Sequence, residues 1–350
     1  MIRYPHMKWI LGIFIAALLA FVAAAPYLTG STGTVGSIMA LRDATNSTIS
    51  EKIATVQLLH QTVEATLYDT QSSYRVGDQV ILTRDAAAGG YTIADQLRTP
   101  ALLQIFGIFL IVVVLMAGLS GVRALMGLYI SFAILFSFVL PQISNGADPL
   151  VVTLMASVLI LVVTYYLAHG ISTKTTIAVV GTAIALFVTG ILAVSFGALA
   201  HLNGFGSEAA AYLPQSLAQG STIYHLLLAG IIIATLGVLN DITIAQSSVV
   251  SELHDASTKM STRELFTRGM RVGHDHIASL VNTLILVYAG SALPLLILFT
   301  NSREAPLALV NYEALAEEIV RTMVASIGLV LAVPITTGIA AWWYSKKKRR

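Results

Sequence analysis

The sequence predicts an all-α polytopic membrane bundle of about eight transmembrane helices, with a small extracytoplasmic β module between the first two spans. Three observations predict it. The 350 residues are 56% hydrophobic and only 11% charged, and their mean hydropathy of +0.80 lies outside the range of ordinary soluble domains. The apolar residues are gathered into eight continuous runs, at 9–25, 100–119, 124–141, 149–169, 175–199, 222–244, 278–299 and 318–343, each close to the ~20 residues a helix needs to cross hydrocarbon. The runs are continuous rather than alternating, which excludes a membrane barrel. Between the first two runs lies the only sizeable polar stretch, residues 27–98.

Residues 1–26 read as an N-terminal transmembrane anchor. A cleaved signal peptide is the alternative, since Arg3 and Lys8 precede an apolar core ending in Ala23-Ala24-Ala25. Pro26 would hinder that cleavage. The next stretch opens as a Gly-, Ser- and Thr-rich linker. From about residue 50 to 97 it holds the β-favouring runs KIATVQLL, TVEATLY, DQVILT and YTIADQ, broken by turns at Ser72-Ser73, Gly77-Asp78 and Gly89-Gly90. Four or five strands of this length make a small barrel or sandwich, suited to binding or docking. Residues 99–350 then form a seven-span domain ending in a basic tail.

Charge placement orients the chain. Thirteen of the twenty Lys and Arg residues, among them Arg123, Lys174, Arg263, Arg268, Arg271 and the tail from Lys346, fall in segments on one side. The positive-inside bias puts both termini in the cytoplasm. Trp342, Trp343 and Tyr344 supply an interfacial belt there. Two loops exceed a tight turn. Residues 200–221 lie outside and form a cap or re-entrant stretch. Residues 249–276 lie inside, where Ser261-Thr262-Arg263-Glu264 resembles a helix N-terminus and Leu265, Phe266, Met270 and Val272 supply an apolar side. That loop is either an amphipathic helix lying on the membrane or a connecting helix packed on the bundle.

Soluble-enzyme motifs are missing: the sequence has no glycine-rich phosphate loop, no HExxH and no nucleophile elbow. With no cysteine, disulfides and thiol chemistry are excluded. His274-Asp275-His276 does not make a metal site, because successive helical side chains point about 100° apart. No cofactor and no nucleic-acid partner is expected.

GVLNDITIAQSS, residues 237–248, carries the chemistry. The apolar stretch before it, Leu226 to Leu239, is too short to cross the bilayer, so the span extends through Asn240 and Asp241 or begins near Ser221. A charged Asp at the centre of a span costs about 3 kcal/mol and persists mainly where it meets a partner or water. Asp241 is therefore read either as a proton- or cation-responsive carboxylate or as an interfacial cap. Asn240, Thr243 and Ser247 share one stripe, and Ser248 lies two turns below Asp241. The seventh span offers His276, Ser279 and Thr283 on one stripe and Asp275, Ser279 and Asn282 on the next. The expected ion path thus comprises Asp241, Ser247, Ser248, Asp275, Asn282 and Thr283. Glu318 and Arg321 in the eighth span read as a structural ion pair, followed by Ala325, Gly328 and Ala332, which permit close helix approach.

The segments SYRVGDQVILT, QLRTPALLQI, YYLAHGISTKT, FGALAHL, GVLNDITIAQSSVVSELH, FTRGMRVGHDHIASLVNTLILVYAGSALPLLI and EEIVRTMVASIGLVLAVP, taken in order, resemble the YibE/F family of bacterial multi-span membrane proteins. The β module makes the chain similar to the longer, YibE-type member. The resemblance implies a hetero-oligomer with a shorter YibF-like chain. The family pattern has a hydrophobic residue or Met where Asn240 stands, so only Asp241 carries a family match. The last three spans are also similar, at the level of fold analogy, to the end of SecF and RND-type permeases, which use the proton gradient.

The leading expectation is an ion-gradient-coupled transporter or exporter. The alternative is an envelope assembly component in which the β module docks a partner and the spans scaffold it. A membrane hydrolase is a third reading that no spacing favours.

Overall fold

The computed structural model describes residues 35–43, 52–58, 61–68, 73–84, 89–207, 210, 212, 213, 217, 222–300 and 305–347. The first apolar run, 9–25, lies outside them. The chain divides into two compact units, Met1–Val122 and Arg123–Arg350.

The first unit holds a closed five-stranded barrel. Its strands are β1 (Val35–Asp43), β2 (Lys52–Gln57), β3 (Thr62–Leu67), β4 (Gln79–Arg84) and β5 (Tyr91–Gln96), ordered β1-β2-β3-β5-β4. All neighbours are antiparallel except β3 and β5, whose parallel pairing completes the ring. This is the strand order of an OB-type barrel. Period-two alternation sends Ala54 and Val56, Ala65 and Leu67, Val80 and Leu82, and Ile93 inward. Ile38 joins them from β1, fully buried. The four expected runs form β2 to β5. The module begins earlier than expected, however, because β1 lies in the stretch read as linker. Closure requires β1, which bridges β2 on one side and β4 on the other.

Helix α1 (Thr99–Ile134) follows the barrel and is broken at Gly118, where φ is 55° and ψ is −131°. Only glycine holds that conformation at little cost. A Cβ placed on Gly121 would lie 2.7 Å from the Val113 carbonyl, whereas residues eight apart on a straight helix are separated by about 12 Å. The chain therefore bends sharply at Gly118. A π-helical turn (Leu135–Val139) and the short α2 (Leu140–Ser144) continue the helix and pack through Val139 and Ile143 against Val152 and Ala156.

Five elements build the second unit's core: α3 (Pro149–His169), α4 (Thr173–Leu199), α5 (Thr222–Ala256), α6 (Thr262–Ser291) and α9 (Glu313–Lys347). Asp148 starts α3, its carboxylate accepting from the Leu150 and Val151 N–H groups at 2.8 and 3.2 Å. Its other oxygen lies 2.7 Å from His225 Nδ1 and ties the start of α5 to the start of α3. Ser261 and Glu264 form the expected capping box of α6. Helix α9 packs on α4, α5 and α6, and α5 packs on α3, α4 and α6.

Helices α4 and α9 run antiparallel and meet through a reciprocal pair of contacts. Gly181 of α4 receives Thr336 of α9, and Gly328 of α9 receives Thr189 of α4. Missing side chains let the backbones approach, which is how helices associate where lipid removes the hydrophobic drive.

Among the described residues, five helices are long and apolar enough to cross a membrane: 99–144 taken as one bent element, α3, α4, α5 and α9. The expected run 278–299 is not one of them. Helix α6 begins in charged sequence, ends at Ser291, and is succeeded by a separate α7 (Leu293–Thr300) before the four-residue α8 (Pro306–Leu309). Residues 262–276 are not an isolated surface helix: Leu265, Gly269 and Gly273 are buried, so the packed alternative for this loop is the one adopted.

Candidate functional site

The polar residues of α5 fall on two sides of the helix. On the inner side Thr243 meets Tyr165 of α3 and Thr182 of α4. Their three hydroxyl oxygens are mutually 2.6 to 2.7 Å apart and buried. The Tyr165 hydroxyl also reaches the Asn240 carbonyl at 3.2 Å. Three helices are thus joined by one hydroxyl cluster, worth about 1 kcal/mol per bond in such surroundings.

One turn on, Gln246 is fully buried. Its Nε2 donates to the Gly269 carbonyl and to Thr337 Oγ1, each at 2.8 Å, which links α5 to α6 and α9. The amide fits because Gly269 and Gly273 present no side chain there. The Thr337 hydroxyl donates in turn to the Val333 carbonyl at 2.6 Å. Ser247 is buried and donates to the Lys174 carbonyl at 2.8 Å, so it fastens α5 to the first turn of α4. The carbonyl oxygens of the Asn240 and Gln246 amides are buried and have no hydrogen-bond partner among the described residues.

Asp241 points the other way. It is exposed on the flank of α5, with His169, the exposed last residue of α3, as its electrostatic partner. Ser248 is half-buried on the same flank. The expected apposition of Asp241 with the stripe on 275–283 is not formed. Leu265, Gly269, Gly273 and Leu284 are the buried face of α6, and Asp275 and Asn282 each lie two residues from a member of it, on the opposite side. Asp275, Asn282 and Thr283 are all exposed, and Thr283 donates to the Ser279 carbonyl of its own helix at 3.0 Å. Of the six expected path residues, the structure brings only Asp241, Ser247 and Ser248 to one region, and Ser247 serves a helix contact. Glu318 and Arg321 form the expected ion pair, Nη1 to Oε2 at 3.0 Å.

Tyr165, Thr182, His169 and Gln246 are the members that pattern reading missed. Gln246 was legible as a lone amide four residues from the fully buried Ile242. Tyr165 and Thr182 carry no such mark, because aromatic and hydroxyl residues are common in spans. Among the described residues, no group of three or more His, Asp or Glu side chains is placed to hold a metal ion.

Span-length apolar helices joined across the bundle by buried hydroxyl and amide hydrogen bonds define an integral membrane protein. The chain belongs to the YibE/F family: the family model described as YibE/F-like protein matches residues 105–346. The match begins inside α1 and leaves the barrel outside it. No curated protein and no solved structure matches the chain, so the likeness of the last three spans to SecF and RND-type permeases gains no support.

Proposed function

We propose that this chain is the larger subunit of an ion-gradient-coupled transporter or exporter in a bacterial inner membrane. Asp241 is its titratable or cation-binding residue, and the His169 end of the bundle is cytoplasmic. The observation that carries this reading is a carboxylate part-way along a span-length helix, exposed beside a histidine and directly behind the buried Tyr165-Thr182-Thr243 cluster. Ionisable groups at such depth mark ion paths.

Its exposure also supports a partner. A carboxylate facing acyl chains costs on the order of 3 kcal/mol, and a second, YibF-like chain seated against α3 and α5 would remove that cost while completing the path. The test is proton flux, followed with an internal pH dye in proteoliposomes holding the complex, across a panel of driven solutes. Asp241→Asn should abolish coupled flux while the protein still assembles; flux equal to wild type would sink the assignment.

A second reading, envelope assembly, is favoured by the barrel, whose Met39, Tyr68 and Val76 side chains are exposed. Removing residues 35–97 distinguishes the two. Loss of complex formation with flux retained makes the barrel a docking element on a transporter.

A further inference from the structure

A cavity of about 600 Å³ opens at the Asp148 end of the bundle, where α6, α7 and α9 converge. Its volume falls in the range of small-molecule sites, ~300–1,000 Å³. Tyr288, Leu295 and Leu298 provide apolar walls; Glu317, Glu318 and Arg321 supply the charge. Glu317 and Arg321 also line a second cavity of about 200 Å³, together with Gly204, Ser207, Ala210 and Leu213, so they border both.

The three charged groups are not equivalent. Arg321 is engaged by Glu318, which leaves Glu317 without a cation in ion-pair contact among the described residues. Glu317 is only 4% exposed. One of its oxygens accepts from the Gly206 N–H at 2.9 Å, and the other accepts no hydrogen bond among the described residues. Arg321 attracts it at longer range, while Glu313 and Glu318 repel it. A buried carboxylate so placed stays charged only with a counter-ion at hand.

The walls decide which counter-ion fits. Calcium needs six to eight oxygen ligands and magnesium an octahedron of them. Here Glu318 is engaged by Arg321, which leaves Glu317 with the hydroxyls of Ser207 and Ser291 in a lining otherwise mainly of leucine, tyrosine, proline and alanine. That is the lining expected for a cation carrying its own apolar body, with an aromatic ring, Tyr288, in the wall.

The segment 203–206, which ends at the cavity's rim, is fastened to α9. Glu313 accepts from the Asn203 and Gly204 N–H groups at 2.6 and 3.1 Å, and Glu317 holds Gly206. Gly206 packs so closely on α9 that a Cβ there would lie 2.6 Å from the Glu317 carboxyl carbon. The carboxylate that faces the cavity is thus also the one that fastens its edge.

We infer that this cavity binds a monovalent organic cation, an amine with an apolar body, with Glu317 as the charge partner and residues 203–206 as the segment fastened at its rim. The site is separate from Asp241 and is tested by binding rather than flux, so its failure would not be the failure of the transport reading. Calorimetric titration of the full chain in nanodiscs with phenethylamine should give saturable binding, and the neutral isostere phenethyl alcohol should bind at least tenfold more weakly. Glu317→Gln keeps an oxygen for the Gly206 N–H and should lose the amine preference. Leu295→Trp fills the cavity from the α7 wall and should abolish binding with the carboxylate intact. Asp241→Asn should leave binding unchanged. Equal affinity for amine and alcohol, or unaltered amine binding in both cavity variants, overturns the assignment. Calcium competing for the site through Glu317 overturns the organic class.

Discussion

Thr189 and Gly328 show how much one missing methyl group decides. A Cβ on Gly328 would collide with Thr189 Oγ1, and overpacking of a tight contact costs about 1–3 kcal/mol. Gly328→Ala should therefore lower the thermal unfolding midpoint of the purified protein, and Thr189→Ala on that background should restore part of the loss. Equal midpoints for the single and double variants would place the strain elsewhere. The small-residue row Ala325, Gly328 and Ala332 was legible as a close-approach face. Its partner was not, because a stripe on one helix says nothing about which neighbour it meets. The same limit explains α6. The stripe carrying Asp275 and Asn282 is real, but Gly269 and Gly273 on the other side accept Gln246 and Val333, and so they determine which face turns inward.

At the scale of elements, ends were easier to read than pairings. The capping box at Ser261 and Glu264 is local chemistry, and its positions follow from spacing alone; its N–H and hydroxyl bonds hold the Glu264 carboxyl below the usual range. The Asp148 cap has a non-local part that spacing cannot supply, the His225 contact seventy-seven residues away. Partial burial raises the Asp148 carboxyl, but the Val151 N–H, His225 and the Leu150 N–H outweigh it, and the net position is below the ordinary carboxylate value. A group depressed on folding contributes stability above its unfolded value, and that contribution is lost as pH falls through the folded one. The midpoint difference between wild type and Asp148→Asn should therefore be largest near neutrality and shrink on acidification below the ordinary carboxylate range. A difference that is flat with pH would exclude the carboxylate as its source. Strand β1 escaped notice for the same reason as the His225 contact. VGSIMALRD sends Ile38 to the barrel core, and pairing across sequence with β2 and β4, rather than alternation, makes it a strand.

For the whole molecule, composition alone fixed the membrane class, while five of the helices among the described residues are long and apolar enough to span. Hydropathy runs cannot see that α6 is a packed helix with a charged beginning, nor that 99–144 is one element bent at Gly118. The barrel makes a different statement about independence. It buries nine apolar residues in a core of its own and closes on itself, leaving no free sheet edge. Residues 35–97 expressed alone should fold with a cooperative thermal transition in circular dichroism, whereas 50–97, lacking β1, should not. A cooperative transition in the shorter piece would mean that closure is dispensable.

The reciprocal Gly181-Thr336 and Thr189-Gly328 contacts restrict motion as well as distance. Each lies eight residues from the other along its helix, about 12 Å. Sliding α4 by one turn against α9 would drive both threonines out of their glycine hollows at once, so no intermediate register is accommodated. Any alternation of access in this protein has to carry α4 and α9 as a single rigid block and place its moving surfaces elsewhere.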